Sequence, residues 1–313
     1  MTEAAVSVVI PTRDRADLLE LTLRSVLNQR GVDMEIIVVD DGNGTATVAV
    51  VDAVSDPRVR VVRNRGARGE CGARNHGVAE ARGDWIAFCD DDDLWAPGKL
   101  RAQLSAAVQE GAEWVYAGDV TVDMQLRVLS GHPPPDPDHM LRDLPRHNSV
   151  PAGASNIVVR AATLGRAGVF DPRLCTCGDW EMWLRLARTA GRPACIPRPL
   201  VALRMHPRMA SRDAGQILRD VEVIARRHEI PLDRARHHRW AAWMALEDGD
   251  RRRALRHYLR AVESGDWRSA GRAIVAVPDP HVAHSRRLPE SARWAAEAQQ
   301  WLDALLNASP HGS

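Results

Sequence analysis

Four consecutive aspartates, Asp90 to Asp93, directly follow the apolar run at residues 85–89. The apolar run predicts a short buried strand. Four carboxylates cannot stay together in a low-dielectric interior unless a cation or hydrogen-bond donors neutralise them, so the cluster is expected at a wet edge of the fold. Hard cations such as Mg²⁺ and Mn²⁺ prefer oxygen ligands, and a strand end can hold them rigidly. The cluster therefore predicts metal binding, and the alternative is a solvated acidic turn.

Two further polar clusters follow predicted strands. Thr12 and Arg13 come after the run at residues 6–10, and Asp40 and Asp41 come after the run at residues 34–39. Strands alternate with helices over about the first 110 residues, which predicts right-handed βαβ crossovers and a largely parallel sheet. Ligands of such sheets bind beyond the carboxyl ends of the strands, so one crevice can collect all three clusters. This shared position argues against a solvated turn.

The usual glycine-rich nucleotide motifs are absent. No Gly-x-Gly-x-x-Gly follows the first strand and no Gly-Lys-Ser/Thr loop occurs, which disfavours a dinucleotide oxidoreductase and a P-loop enzyme. Phosphate would have to be bound by a carboxylate-held metal, with forked donors from Arg65, Arg68 or Arg74.

Four segments resemble, in order, the motifs of family 2 glycosyltransferases with the GT-A fold: residues 8–13, 38–42, 72–77 and 88–95. The resemblance extends over roughly residues 6–210. It implies an α/β GT-A fold, with a Rossmann-like, mostly parallel sheet flanked by helices. It also implies an inverting enzyme that moves a hexose or related sugar from a nucleotide diphosphate-sugar to an acceptor hydroxyl, with Mn²⁺ or Mg²⁺ as cofactor. The acceptor would be a small molecule, a glycan or a peptide.

The same resemblance assigns roles to individual residues. The donor-binding set is Pro11, Thr12, Arg13, Asp41, Arg68, Arg74, Asp90, Asp91 and Trp180. The Asp-x-Asp signature falls on Asp90 and Asp92, with Asp92 as the direct metal ligand, although Asp91 and Asp93 leave the register open by one residue. Trp95 and Trp180 would offer a surface on which a sugar can stack.

Residues 178–187 resemble the Glu-Asp-x-x-x-Trp motif of this family, whose aspartate is the catalytic base of inverting members. Asp179 takes that position, and Gly178 replaces the usual glutamate, so a carboxylate that often supports the base is missing. Asp179 also falls in the first turn of a predicted helix, where a carboxylate is favoured. The alternative is therefore a helix cap, and Glu181 is the next candidate for the base.

The segment Val201–Pro207 predicts a strand that ends in a histidine. A similar Arg-x-His segment closes the active site in the family, which makes His206 a candidate ligand of the metal or diphosphate and Arg204 a neighbouring candidate. A purely structural histidine is the alternative reading.

The overall composition gives little sign of a nucleic acid or membrane partner. The 313 residues carry 42 Lys and Arg against 41 Asp and Glu, a formal net charge of +1, so any such partner needs a local patch. The five cysteines form an odd set without paired zinc spacing, and neither a leader nor a run of about 20 apolar residues is seen. A reduced, cytoplasmic protein without a transmembrane segment is expected; half a zinc site at Cys175 and Cys177 is the alternative to structural thiols.

The predicted organisation is a catalytic domain at residues 1–213, with a nucleotide-sugar half at 1–117 and an acceptor half at 118–213, and a helical region at 214–313. In the acceptor half we expect a strand at 114–116, a hairpin at 118–129, an exposed loop at 132–138 that is a lid or a connector, a strand at 155–160 and a short helix at 162–168. Helices are expected at 214–228, 236–246, 251–263 and 291–306. The second and third of these resemble one tetratricopeptide-type unit, which must pack on the catalytic domain, on the last helix or on another subunit.

The helical region is locally basic. A solvated helix face is the favoured explanation, and the alternatives are an anionic acceptor, a lipid surface or a protein partner. Two other function classes stay open. One is a non-catalytic carbohydrate- or protein-binding descendant of the same fold. The other is a haloacid dehalogenase-type phosphatase, whose second aspartate is usually followed by x-Thr or x-Val, whereas Asp92 is followed by Asp93 and Leu94.

Overall fold

The computed structural model describes residues 6–209, 212–276 and 289–307. A nine-stranded sheet runs through it in the order β3-β2-β1-β4-β8-β6-β9-β5, and β7 pairs with β6. The strands are β1 Val6–Thr12, β2 Met34–Asp40, β3 Val59–Arg63, β4 Trp85–Phe88, β5 Asp93–Trp95, β6 Trp114–Val122, β7 Val128–His132, β8 Val158–Arg160 and β9 Ala194–Arg204.

Helices cover the sheet and continue beyond it. Those up to residue 190 are α1 Ala16–Leu27, α2 Thr45–Val54, α3 Glu70–Glu80, α4 Lys99–Glu110, α5 Pro137–Asp143, α6 Ala161–Ala167 and α7 Gly178–Ala190, with a 3₁₀ turn at Gly153–Asn156. The later ones are α8 Ala214–His228, α9 Arg234–Glu247, α10 Arg251–Glu263, α11 Arg268–Ala276 and α12 Pro289–Asn307. None of the helices in these described residues combines the length and apolar character needed to cross a bilayer.

The strands β1 to β4 are parallel, as the alternating pattern predicts, and their register aligns their carboxyl ends. Thr12 pairs with Asp40, and Asp40 pairs with Arg63. The carboxyl ends of β1, β2 and β4 therefore lie at one edge of the sheet. The whole sheet is mixed rather than mostly parallel, because β8 is antiparallel to both β4 and β6, and β5 is antiparallel to β9.

Alternate residues of the central strands pack into two separate cores. Val9 and Val39 belong to the core that also contains residues of α3, α5, α6 and α7, whereas Val8 and Val38 belong to the core shared with α1, α2 and α4. The helix α3 lies very close to its strands: a Cβ at Gly77 would be 2.3 Å from the Cγ1 atom of Val9. This close approach brings the first turn of α3 to the crevice at the sheet edge.

The acceptor half differs from its sequence prediction in three places. The predicted strand at 114–116 and the first half of the predicted hairpin at 118–129 form the single strand β6. The predicted strand at 155–160 begins in the 3₁₀ turn, and only its last residues form β8. The expected loop at 132–138 is shorter, since Pro137 begins α5 and the Asp136 carboxylate caps it by accepting from the amides of Asp138 and His139. Proline is well tolerated at the first helical position, where its missing N–H has no partner to lose.

The C-terminal helices pack in two ways. α9 and α10 form the expected hairpin, turning at Gly249 with a φ of +76°, and α11, which the sequence analysis missed, packs beside α10 through Ala273. α12 instead lies on the sheet, where Ala298 and Leu302 share a core with Leu94 and Val120. The proposed domain boundary at residue 213 stays a prediction, but the last helix is part of the catalytic core.

Candidate active site

The four aspartates after β4 alternate between two environments. Asp91 and Asp93 are only 3% and 4% exposed. Asp91 accepts from the Thr12 hydroxyl at 2.7 Å and from Arg15 at 3.1 Å, and Asp93 accepts from the Ser155 hydroxyl. Burial raises the pKa of Asp91 to about 6, and burial raises that of Asp93 well above its usual range. The side chains of Asp90 and Asp92 are 28% and 13% exposed, so the geometry favours the register in which Asp90 and Asp92 face the crevice.

Two side chains, Arg15 and His206, donate to the same carboxylate oxygen of Asp92. Its Oδ2 atom lies 3.0 Å from Arg15 Nη1 and 2.9 Å from His206 Nε2. Although burial works in the opposite direction, the hydrogen bond from His206 and the charge of Arg15 lower the pKa of Asp92. The amide of Arg208 donates to His206 Nδ1 at 3.1 Å, which places the imidazole proton on Nε2. In this arrangement His206 donates to Asp92 and offers no lone pair to a metal ion.

Asp90 and Asp92 fit the role of metal ligands when a diphosphate supplies the remaining oxygens. Carboxylates are the ligands that Mg²⁺ and Mn²⁺ prefer. Among the residues that the structure describes, no group of three or more His, Cys, Asp or Glu side chains is arranged to hold a metal ion. A cation here would need oxygens from a ligand or from water to complete its coordination.

Asp90 shares the buried guanidinium of Arg74 with a carboxylate that the sequence analysis did not select. Arg74 is 3% exposed, and its Nη2 atom donates to Asp90 at 2.6 Å and also to Glu70. Burial raises the pKa of Glu70 to about 7, with Arg74 opposing the rise and Asp90 and Asp179 adding to it. Arg74 therefore holds two crevice carboxylates, one of which titrates near neutrality.

Asp179 lies in the first turn of α7, whose cap position is Cys177. One carboxylate oxygen accepts from the Trp180 amide at 2.7 Å, and the other accepts from Asn148 Nδ2 at 3.1 Å. Burial raises the pKa of Asp179, and the charge of Arg74 opposes the rise. A raised pKa makes a carboxylate a stronger base, so the position suits proton abstraction. Asp179 is not the cap residue itself, although it does satisfy one amide of the first turn.

Packing against Cys71 of α3 explains why residue 178 is a glycine. A Cβ at this position would lie 2.1 Å from the Cys71 Sγ atom. The glutamate implied by the resemblance would overlap the Cys71 thiol in its present position, and α3 instead supplies the carboxylate of Glu70, which is bonded to Arg74.

One end of the crevice is formed by the turns after β1 and β2. Asp41 accepts from Asn64 Nδ2 at 2.6 Å and from the Gly69 amide at 2.9 Å, which holds the loop at residues 64–69 beside the crevice. Asp40 has a buried Oδ2 atom without a hydrogen-bond partner among the described residues. Of the other predicted donor-binding residues, Pro11 and Thr12 are buried at the strand end and Arg13 and Arg68 are exposed beside it.

Three predicted residues do not reach the crevice. Trp180 and Trp95 are each 1% exposed, and their indole N–H groups donate to the carbonyls of Leu144 and Ser155. The expectation that either ring stacks on a sugar is therefore wrong, because both rings are buried, with His237 stacked on Trp180 and the Lys99 ammonium over Trp95. Glu181, the reserve candidate for the base, is 3% exposed and bonded to Arg185 and His228.

The thiols of Cys175 and Cys177 form no disulfide. Neither thiol belongs to a group of three metal-ligating side chains among the described residues, so this part of the structure does not favour half a zinc site over structural thiols.

The chain is similar in sequence to known proteins. Residues 7–163, half of the chain, match the family model "Glycosyl transferase family 2". Succinoglycan biosynthesis protein ExoO of Rhizobium meliloti is 43% identical over 108 residues, which cover 34% of this chain and 31% of that protein. The Escherichia coli UDP-Glc:alpha-D-GlcNAc-diphosphoundecaprenol beta-1,3-glucosyltransferase WfgD is 33% identical over 116 residues, 37% of this chain and 46% of that protein. The chain thus spans less than half of the length of these relatives, 31% and 46%.

Solved structures extend the likeness to nearly the whole chain. Staphylococcus aureus TarS 1-349 in complex with UDP-GlcNAc superposes with a TM-score of 0.58 at 14% identity, covering 96% of this chain and 90% of that one. The mannosyltransferase PcManGT of Pyrobaculum calidifontis, in complex with GDP-Man and Mn²⁺, gives 0.55 at 17% identity, covering 99% and 89%. At such identities the likeness concerns the fold alone, and it confirms the α/β GT-A architecture.

Proposed function

The chain belongs to glycosyl transferase family 2, and on that premise we propose that it moves a sugar, with inversion, from a nucleotide diphosphate-sugar to an acceptor hydroxyl. One observation carries the proposal: at the carboxyl edge of the sheet, Arg74 bonds Asp90 and its charge acts on Asp179, while Arg15 and His206 bond Asp92 two residues further along. That edge is where α/β sheets of this kind bind their ligands.

The donor would lie across the ends of β1 and β2. Each oxygen of Asp41 accepts one hydrogen bond and keeps a second lone pair, which could accept from a ring N–H of uracil or guanine. Relatives and fold neighbours carry UDP-linked or GDP-linked sugars in their names, which supports a nucleotide diphosphate donor without choosing the base.

Asp92, with Asp90 beside it, would hold Mn²⁺ or Mg²⁺, and the ion would offset charge on the departing diphosphate. Arg15 bonds Asp92 and Asp91, and Arg74 bonds Asp90, so these guanidiniums hold the three carboxylates in place. His206 would orient Asp92 through its Nε2 hydrogen.

The proposed transfer is a single displacement. The acceptor oxygen attacks the anomeric carbon as the bond from that carbon to the diphosphate oxygen breaks, and the bonding electrons leave with the diphosphate. Asp179 takes the proton of the acceptor hydroxyl. The Trp180 amide and Asn148 each donate to this carboxylate and so fix its direction. Attack from the face opposite the leaving group inverts the anomeric configuration.

For the acceptor we propose a glycan hydroxyl, on the support that WfgD is named for a GlcNAc-diphosphoundecaprenol acceptor. A cytoplasmic location and homo-oligomer formation through the C-terminal helices stay predictions.

The test is the stereochemistry of the product. The purified chain would be incubated with Mn²⁺ and a panel of UDP- and GDP-linked α-sugars, with oligosaccharide acceptors, and products examined by proton NMR. A β-linked product supports the proposal, and an α-linked product would refute inversion. If no donor is transferred or hydrolysed although a nucleotide diphosphate binds, the non-catalytic alternative is favoured.

A further inference from the structure

The outer side of α10 carries leucines and arginines side by side. Leu255 and Leu259, one turn apart, are 41% and 53% exposed, and Arg252, Arg256 and Arg260 run along the helix next to them at the same four-residue spacing. The opposite side is buried against α9 and consists of Ala254, Tyr258 and Ala261. The helix is thus fully packed without its leucines, which play no part in the core.

Two more exposed apolar side chains follow along the chain. Trp267, directly before α11, is 77% exposed, and Ile274 within α11 is 74% exposed. We call Leu255, Leu259, Trp267 and Ile274 the apolar face. Single exposed apolar side chains need no explanation, but among the described residues ten large ones are exposed and these four fall within residues 255–274.

The charge around this face is strongly positive. Residues 234–276 contain ten arginines and five acidic residues, whereas the whole chain has a net charge of only +1. The remainder of the chain is therefore net negative, and the positive charge is concentrated where the apolar face lies. A purely solvated helix would explain the arginines but not the leucines, the tryptophan and the isoleucine between and beside them.

We propose that the apolar face of α10 and α11 docks on an anionic lipid bilayer. Arginines are attracted to acidic head groups, while leucine, isoleucine and tryptophan side chains enter the boundary between head groups and acyl chains. The long arginine side chains reach outward past the leucines and need not be buried with them. This docking is independent of the transfer chemistry.

The experiment is co-sedimentation of the full chain with vesicles of phosphatidylglycerol and phosphatidylcholine, against vesicles of phosphatidylcholine alone, with neither donor nor acceptor present. Binding to the anionic vesicles is expected, weakening as salt is added. Arg252→Gln with Arg256→Gln should weaken it about 10- to 30-fold, since each basic residue near an anionic leaflet is worth roughly fivefold. Leu259→Ser with Trp267→Ser should weaken it at least about tenfold.

Matched controls remove the same groups elsewhere. Arg30→Gln with Arg101→Gln takes two exposed arginines from the α1–α4 side, and Val108→Ser removes a side chain that is 74% exposed on α4. Both should bind as the wild type does, and circular dichroism would check folding of every variant. Equal binding by the face variants, no preference for anionic vesicles, or loss of a dimer by Leu259→Ser with Trp267→Ser while vesicle binding is unchanged would each overturn the proposal.

Discussion

Asp90, Asp92, Asp179 and Glu70 line one crevice, and different partners give these carboxyl groups different tasks. His206 and Arg15 keep Asp92 ionised, which suits a metal ligand. Burial raises the pKa values of Asp179 and Glu70, which suits groups that gain and lose a proton. Arg74 links the two groups, because it bonds both Asp90 and Glu70.

The base and cap roles of Asp179 give different kinetics. Asp179→Asn keeps an oxygen that accepts from the Trp180 amide, so stability should change little. Loss of the proton acceptor should slow transfer by roughly 10²–10⁴-fold, with donor affinity nearly unchanged. Steady-state kinetics with calorimetry would measure both, and Asp138→Asn, which alters a first-turn aspartate of α5, is the control. If Asp179→Asn keeps more than about a tenth of wild-type turnover, Glu70 becomes the next candidate.

Donor binding should require a divalent cation. A diphosphate adds negative charge to a cluster that already contains Asp90 and Asp92, and carboxylates alone would repel it. Calorimetric titration with UDP and GDP should show binding with Mn²⁺ and none in EDTA, and Asp92→Asn should lose the metal-dependent part. Undiminished affinity in EDTA would refute the metal assignment.

Glu70 should make stability depend on pH. Its folded pKa of about 7 lies above the unfolded value of about 4.3, so its contribution to stability is fully present below pH 4.3 and is lost as pH rises toward 7. Glu70→Gln cannot lose a proton, so its unfolding free energy relative to the wild type should increase from pH 5 to pH 8. Urea denaturation at both pH values measures this difference. If the unfolding free energies of the two proteins changed with pH in parallel, folding would not raise the pKa of Glu70.

At the scale of elements, α3 sets the position of Arg74 and Glu70 because it lies so close to β1 and β2. A methyl group at Gly77 would overlap Val9 and approach Val39 within 2.9 Å. The helix can approach only because this position has no side chain.

Gly77→Ala should therefore lower the unfolding free energy by about 1–3 kcal/mol, through overpacking, and reduce donor affinity by displacing Arg74. Gly165→Ala in α6, where an added Cβ meets nothing within 4 Å, is the matched control and should be neutral or slightly stabilising. Urea denaturation and nucleotide titration would test both variants. A stable Gly77→Ala protein would mean that α3 can move outward without cost.

At the scale of the whole molecule, local patterns predicted the elements better than they predicted contacts between them. The bounds of α8 and α10 follow from amphipathic periodicity, and the parallel direction of β1 to β4 follows from the alternation of strands and helices. The expectation that Trp180 faces the donor was wrong, although helical periodicity argues against it. Trp180 lies on the same side of α7 as Trp183 and Leu184, which are both buried. The roles of Asp91 and Asp93 depend on hydrogen bonds to Thr12 and Ser155, 79 and 62 residues away, which no local pattern contains.

The same limit applies to the last helix, whose partner is the catalytic sheet and not the neighbouring helices. Leu302 of α12 is fully buried in a core with Val120, Leu94 and Ala202, whereas Leu306 on the same helix is 54% exposed. Leu302→Ala should lower the unfolding free energy by about 2–4 kcal/mol, in a single transition shared with the donor-binding half, while Leu306→Ala should change it by less than about 0.5 kcal/mol. Urea denaturation followed by tryptophan fluorescence and by loss of nucleotide binding would measure both. Separate transitions for the two signals would show that α12 stabilises only its own region, and a chain cut after residue 213 would then be expected to keep the donor site intact.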